Sequence, residues 1–204
     1  MKFIKSLFLV VLAAMALCVA TDAQTVTPPA ASSFFTTFGA AGTTLSSAVI
    51  SANGLGTPVI NYANATADNA TNKLKFYASS AGVQITAVGA SGQAVVTLVG
   101  TGNFDTNDVT VLRHVASDTY ERLVISEVTT TNVTFSANLA AAVVSGDFVY
   151  LQTLGAQISV GSATKELNSN GAGFVSGKAG RPLLVDLTGA AACTINALTG
   201  FYKN

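Results

Sequence analysis

The segment from Asn107 to Leu154 reads NDVTVLRHVASDTYERLVISEVTTTNVTFSANLAAAVVSGDFVYLQTL and indicates the fold class most strongly. Two runs in it, Val109 to Val115 and Tyr120 to Val128, are rich in the β-branched and aromatic residues that favour strands. Thr129 to Thr131 separate the second run from Asn132 to Ala137, and this arrangement predicts a β-hairpin.

Turn chemistry marks where strands of this segment begin. Asn107-Asp108 precedes one predicted strand, and Gly146-Asp147 precedes another, Phe148 to Leu154. An aspartate in a turn accepts backbone N–H bonds, and glycine adopts positive φ without steric cost. We therefore interpret both dipeptides as strand entries.

The hairpin also shows a period of two. Val133, Phe135 and Ala137 fall on one face of its second strand, while Thr134 and Ser136 fall on the other. This alternation predicts one buried face and one solvated face.

The same pattern continues through most of the chain after Leu45. The further predicted strands are Leu45 to Ser51, Pro58 to Tyr62, Lys73 to Ser79, Val83 to Val88, Ala94 to Val99, Gln157 to Val160, Gly173 to Ser176, Leu183 to Leu187 and Cys193 to Leu198. Many short strands separated by turn residues predict an all-β protein, an antiparallel β-sandwich, a small β-barrel or both. A turn over 137–144 is the one helical candidate.

Charge is scarce in this chain of 204 residues. Lys and Arg total 10, Asp and Glu total 10, and charged residues make up 10% of the chain, where about 25% is usual. A protein that binds nucleic acid through phosphates needs a basic patch, so this class is excluded. Disorder goes with low hydrophobicity and high net charge, so it is excluded as well.

The N-terminus has the pattern of a cleavable signal peptide. Lys2 and Lys5 precede an apolar run of 14 residues, Leu7 to Ala20, and Thr21 to Ala23 offer a small-residue cleavage site. The run is short for a membrane span, which needs about 20 apolar residues. We expect a secreted or cell-surface protein, with membrane contact only through this segment if it is uncleaved. Alternatives are a retained anchor and lipidation at Cys18.

Three regions follow from these patterns. Residues 1–23 are the signal peptide, 24–44 an uncharged extended arm, and 45–204 a β-rich region in which 100–154 form an inserted small β-barrel. No charged side chain occurs in residues 24–67. Cys193 is the only cysteine after residue 23, so no intramolecular disulfide is predicted in the mature chain, and we expect this thiol to be buried.

Three phenylalanines within the arm are the candidate assembly contacts. Phe34, Phe35 and Phe38 are close enough in sequence to anchor the arm against a hydrophobic surface. That surface is either this chain's own core or a neighbouring subunit.

Catalytic and metal-binding patterns are weak. His114 is the only histidine, which excludes a zinc site with several histidines, and no Gly-x-Ser-x-Gly motif marks a nucleophile. We interpret His114 as a surface or edge-strand residue. Calcium-loop, phosphate-loop and dinucleotide patterns all fail at required positions. We therefore predict no enzyme, no catalytic residue, no metal and no cofactor.

Tyrosines provide the other candidate site. Tyr62, Tyr77 and Tyr120, together with Tyr150 and Tyr202, are candidates for stacking against the rings of a glycan ligand. Exposure of two or more in one shallow groove would favour such binding. Asn-x-Thr sequons occur at Asn64, Asn69 and Asn132.

A resemblance accompanies residues 100–154, the region that contains the segment quoted above. Its pattern resembles a small β-barrel module that recurs in phage virion proteins and in bacterial surface proteins, and the resemblance implies a structural or adhesive accessory role. A signal peptide favours the surface-protein version. The residues that carry the pattern are Phe104, Asn107-Asp108-Val109, Glu121-Arg122, Val124, Val133-Thr134-Phe135, Leu139 and Gly146-Asp147-Phe148-Val149-Tyr150.

The sequence therefore predicts a secreted, non-enzymatic structural or surface-assembly protein. We expect it to self-associate into a homo-oligomer or polymer through β surfaces of low charge and through its N-terminal arm. The first alternative is an extracellular module that binds a ligand such as a glycan. The second is a decoration or fibre protein of a phage virion.

Overall fold

The all-β prediction is confirmed by the computed structural model, which describes residues 34–38, 47–50, 56–67, 71–160, 164–169, 173, 175–188 and 194–203. Within these ranges the chain forms fourteen strands and no helix. In chain order they are β1 (Phe34–Phe38), β2 (Ser47–Ile50), β3 (Thr57–Thr66), β4 (Lys73–Ser79), β5 (Val83–Gln84), β6 (Val95–Thr97), β7 (Val109–His114), β8 (Thr119–Val128), β9 (Asn132–Phe135), β10 (Phe148–Ser159), β11 (Thr164–Asn168), β12 (Val175–Ser176), β13 (Leu183–Thr188) and β14 (Thr194–Lys203).

The strands form two antiparallel sheets. The five-stranded sheet has the order β1-β14-β3-β11, and β12 also pairs with β3. The nine-stranded sheet has the order β2-β13-β4-β10-β7-β8-β9-β6, and β5 also pairs with β10. One hydrophobic core joins Ile60 of β3 and Leu198 of β14 with Phe76 of β4 and Val185 of β13. The five-stranded sheet therefore packs on the first part of the nine-stranded sheet as a β-sandwich.

The rest of the nine-stranded sheet closes into a barrel. β10 pairs with β7 on one side and with β5 on the other. A bridge between Ile85 and Leu98 joins the end of β5 to the end of β6, and Val99 N–H donates to the Gln84 carbonyl at 3.0 Å. The ring β10-β7-β8-β9-β6-β5 is thus continuous and leaves no unpaired edge, as in other closed barrels.

A second hydrophobic core fills this barrel. Val133 and Phe135 of β9 are buried in it, as the alternation predicts, whereas Ala137 lies beyond the strand and is exposed. The helical candidate at 137–144 is wrong. Leu139 and Val143 are buried in the barrel core, and Val143 exchanges backbone hydrogen bonds with Gly89, so burial and strand-like pairing override the alanine-rich composition.

β10 belongs to both bodies. The sequence predicts two separate strands here, yet Phe148–Ser159 is a single strand of 12 residues. Its first part pairs with β7 in the barrel, and its second part pairs with β4 in the sandwich, with a bulge between Leu154 and Ala156. A bulge bends a strand and increases its twist, and here it marks the passage from one body to the other.

A third, smaller cluster fills the space between sandwich and barrel. Tyr77 of β4 and Leu184 of β13 pack there against Val111 of β7. An ion pair crosses the same boundary, with Arg122 Nη2 at 2.8 Å from Asp186 Oδ2. β13 is therefore buried on both faces, which explains why its sequence LLVDLT is almost continuously apolar.

Candidate functional site

His114 lies inside the barrel wall. Its strand β7 runs between β8 and β10, and the residue is 6% exposed. The expectation of a surface or edge-strand histidine is therefore wrong. Alternation along β7 could not reveal this, because the polar partners that make burial tolerable come from other parts of the chain.

Two carboxylates flank the imidazole on opposite sides. His114 Nε2 lies 2.7 Å from Glu121 Oε1, and Nδ1 lies 3.5 Å from Asp147 Oδ2. The Asp147 side chain is 2% exposed and that of Glu121 is 13% exposed. Because the carboxylates face different nitrogens, they do not converge on one point, as metal ligands would have to do.

Both carboxylates are occupied by backbone amides. Glu121 accepts hydrogen bonds from the N–H groups of Ala140 and Ala141, at 2.8 and 3.0 Å. Asp147 accepts from Val115 at 2.8 Å and from Val144 at 2.9 Å. These bonds fix the segment before β10 against the β7–β8 hairpin. The arrangement anchors a loop, because every oxygen of the two carboxylates accepts a hydrogen bond from a backbone N–H.

Sequence reasoning missed this cluster, although one of its signals was visible. Gly146-Asp147 is a strand entry that the sequence predicts, and Gly146 adopts positive φ, at 104°. Asp147 also contacts Val115 and His114, which lie more than thirty positions away in the sequence. No local pattern encodes such a contact.

The candidate stacking tyrosines do not form a common groove. Tyr77 is 7% exposed and packs in the cluster between sandwich and barrel, where half-buried Tyr120 joins it. Tyr120 also donates to Asp118 at 2.9 Å. Tyr62 is half-buried on β3, opposite Thr199 and Asn168. This distribution counts against glycan stacking on these three rings.

Burial also changes the acidity of two tyrosines. Desolvation raises the pKa of Tyr202 to about 12, with further contributions from Tyr120 and Asp118. Desolvation raises the pKa of Tyr77, the nearby Asp186 carboxylate raises it further, and Arg122 opposes this effect. Both phenols are therefore neutral parts of the packed structure at ordinary pH.

An open groove of about 470 Å³ lies on the barrel. Val83, Val99 and Phe148 supply apolar lining, and Gly100 and Gly102 leave the backbone accessible. None of the tyrosines considered above lines it. The groove contains no charged side chain, so it offers hydrophobic contact without an electrostatic anchor.

Two edge strands are the remaining candidates for contact with another molecule. Among the described strands, β1 pairs only with β14, and β2 pairs only with β13. Their sequences, FFTTF and SAVI, contain neither charge nor proline. Soluble proteins commonly protect edges with lysine, proline, bulges or covering loops, and the first two of these protections are missing here.

The candidate phenylalanines lie on one of these edges. Phe34, Phe35 and Phe38 belong to β1, in register with Phe201, Gly200 and Ala197 of β14. The arm predicted at 24–44 is thus a paired strand in its middle. The side chains of the three phenylalanines lie outside the described part of the structure, as do the signal peptide, residues 24–33 and Cys193.

The opposite edge of the five-stranded sheet differs in character. β11 ends that sheet with the sequence TKELN, and its Lys165 and Glu166 side chains are exposed. β12, a two-residue strand, occupies another part of the same edge. Charge and shortness are the usual protections against unwanted pairing. The uncharged edges β1 and β2 are therefore the best candidate interaction site.

Two of the three sequons can be located. Asn64 lies in β3, where its amide oxygen accepts a hydrogen bond from Asn196 at 2.6 Å. Asn132 begins β9 and is half-buried, directly after the turn that follows β8. Asn69 lies outside the described residues.

Comparison with known proteins gives no relative: no protein family, curated protein or solved structure matches this chain. In the part of the chain that the structure describes, no group of three His, Cys, Asp or Glu side chains is arranged to hold a metal ion. No helix within the described ranges is long and apolar enough to cross a membrane. The function of the protein must therefore be argued from its own residues.

Proposed function

We propose that this chain is an extracellular, non-enzymatic structural protein that self-associates by pairing strands at its uncharged edges. The observation that carries this proposal is the β2 edge, the one end of the nine-stranded sheet that no other described strand covers. The signal-peptide pattern of residues 1–23 supports an extracellular location.

The number and strength of the backbone hydrogen bonds that β2 can add indicate a weak association. A strand of four residues adds only a few backbone hydrogen bonds, each contributing about 0.5–1.5 kcal/mol net. A few such bonds total about 2–6 kcal/mol, whereas dissociation constants of roughly 1 mM and 1 μM correspond to about 4 and 8 kcal/mol, so pairing of this strand alone supports association at the weak end of that range. Such contacts accumulate strength when many copies are held on one surface. This behaviour suits a protein that builds a layer or decorates a surface.

The scarcity of charge also supports self-association. Like-charged copies repel each other, whereas the chain after residue 23 carries eight Lys and Arg against nine Asp and Glu, a net charge of about −1. The closed barrel is compatible with the resemblance to virion and surface modules, and that resemblance remains a prediction.

Sedimentation velocity of residues 24–204 tests the proposal. We expect reversible, concentration-dependent association between roughly 10 μM and 1 mM. Val49→Lys places a charge on β2, and Thr36→Lys places one on β1; each variant should associate more weakly than the parent, and the variant that carries both changes should sediment as a monomer. Val95→Lys makes the matched change on β6, inside the closed barrel, where Val95 is 43% exposed; this control should associate like the parent.

A monomer over the whole concentration range would overturn the proposed function. Equal association of Val49→Lys, Thr36→Lys and Val95→Lys would also overturn it, because the edge strands would then play no part. Circular dichroism of each variant distinguishes loss of association from loss of folding. Secretion is tested separately: mass spectrometry of the exported protein should find its N-terminus at Gln24.

A further inference from the structure

The nine-stranded sheet offers only one kind of open edge for pairing. At its far end the strands return through β6 and β5 to β10 and close the barrel. At its near end β2 pairs with β13 alone among the described strands. A copy of this sheet therefore cannot extend another head to tail, because the sheet itself has no second open edge for β2 to meet. The other uncharged edge, β1, belongs to the five-stranded sheet, and pairing it with β2 would join the two different layers of the sandwich. The natural partner for β2 is β2 of a second copy, which is an isologous contact.

The register of a β2–β2 pair is limited because residues that oppose each other must lie on the same face of the sheet. Ala48 and Ile50 belong to the sandwich core, whereas Val49 packs towards the cluster between sandwich and barrel. A two-fold axis perpendicular to the sheet keeps each face on its own side, and directly opposed residues of an antiparallel pair share a face. Ala48 can therefore oppose Ala48 or Ile50 of the second copy, but not Val49.

Side-chain size favours one of these two registers. With the axis at Val49, each Ile50 lies opposite the small Ala48 of the other copy, and the two sandwich cores become continuous. The two Val49 side chains then meet as a β-branched pair, which favours strand pairing. With the axis at Ala48, two alanines oppose each other, Val49 faces Ser47, and Ile50 loses a partner inside the strand.

We propose that the protein forms a two-fold symmetric dimer in which β2 pairs antiparallel with β2 of a second copy, with Val49 on the axis. The proposal rests on the proposed function, because it specifies the partner and the symmetry of the same edge. Pairing extends the sandwich across the dimer, so that backbone groups left open on β2 gain partners.

Cysteine cross-linking tests the axis directly. In the mature chain with Cys193→Ser as background, Val49→Cys places two thiols opposite each other within the Cα separation that a disulfide spans, about 4.4–6.8 Å. Ala48→Cys is the matched neighbour, opposed by Ile50 rather than by itself. Under mild oxidation we expect the Val49→Cys variant to form covalent dimers at least tenfold faster than the Ala48→Cys variant.

The outcomes separate the two proposals. Faster dimer formation by Ala48→Cys, or equal rates at both positions, would overturn the axis at Val49. Reversible association of the cysteine-free parent without cross-linking at either position would overturn the β2 pair but leave self-association standing. A cysteine-free parent that stays monomeric would overturn both. Hydrogen exchange of β2 in that parent provides a readout that does not depend on the folding of a cysteine variant.

Discussion

The two ends of the nine-stranded sheet differ in how the backbone groups of their last strands are paired. At one end β10, β7, β8, β9, β6 and β5 close into a ring, so every strand has neighbours on both sides. At the other end the sheet stops at β2, a strand of four uncharged residues with one described partner. A closed end contributes stability to its own chain, whereas an open end retains backbone groups that another chain can pair with.

The closed barrel and the β2 edge also differ in their buried polar contacts. The barrel contains His114, Glu121 and Asp147, which tie a loop to the β7–β8 hairpin. Such buried polar contacts specify a single arrangement when all partners are satisfied. β2 carries no such contact among those that the structure shows, and its core residues Ala48 and Ile50 add only hydrophobic burial. The barrel wall is thus held by buried polar contacts that the β2 edge lacks.

The largest expected effects concern the cores of the two bodies. Phe76→Ala removes a side chain that is 0% exposed in the sandwich, and Phe135→Ala removes one that is 2% exposed in the barrel. Each truncation should lower the free energy of unfolding by about 3–5 kcal/mol. Because β10 is one strand shared by both bodies, we expect a single cooperative transition in each case.

Chemical denaturation followed by two probes checks that expectation. Tyrosine fluorescence and far-UV circular dichroism should give coincident curves for the parent and for both variants. Two separated transitions would show that sandwich and barrel unfold independently. The two bodies would then be separate domains rather than two ends of one sheet.

An intermediate effect is expected where the bodies meet. Arg122→Met leaves the Asp186 carboxylate, 4% exposed, without its ion-pair partner. Removing one member of a buried pair costs about 3–5 kcal/mol, and partial exposure of Arg122 places this case near the lower limit. Arg113→Met is the matched control, because the carboxylate that it leaves without its partner, Asp118, is 44% exposed and can be hydrated. That change should cost about 1 kcal/mol or less.

If the two arginine variants lose equal amounts of unfolding free energy, the assignment of Arg122 as the link between sandwich and barrel would be contradicted. The measurement is the midpoint and slope of urea unfolding for each variant. An unchanged slope is required, since a change would indicate that the compactness of one state had changed instead.

The smallest effect is a dependence of stability on alkaline pH. The pKa of Tyr202 rises from 10.0 to about 12 on folding. The folded state therefore keeps a proton that the unfolded state loses, and the contribution of Tyr202 to stability is fully present below pH 10 and is lost as pH rises from 10 to 12. Tyr202→Phe should remove this part of the slope. Urea unfolding at several alkaline pH values checks it, and identical slopes for parent and variant would contradict the burial of this phenol.

Local patterns predicted the regular parts of the fold well. Lys73 to Ser79 was predicted as a strand and is β4, and the hairpin of β8 and β9 follows the turn at Thr129 to Thr131. These elements have a clear period of two and turn residues at their ends, so short-range physics determines them.

Elements that depend on distant partners were not predictable in the same way. β11 was missed because its sequence TKELN has no apolar alternation; it becomes a strand by pairing with β3. The sequence predicts Phe148 to Leu154 and Gln157 to Val160 as separate strands, whereas the structure has one strand that passes Gly155 at a bulge. The burial of His114 likewise depends on Asp147.

Amide hydrogen exchange as a function of protein concentration tests the central claim most directly. If the protein associates through its open edges, amides of β1 and β2 become more protected as concentration rises from roughly 10 μM to 1 mM, while amides of β7 and β8 in the closed barrel do not change. Unchanged protection of β1 and β2, or a uniform increase that includes β7 and β8, would contradict the claim that the open edges are where this protein associates.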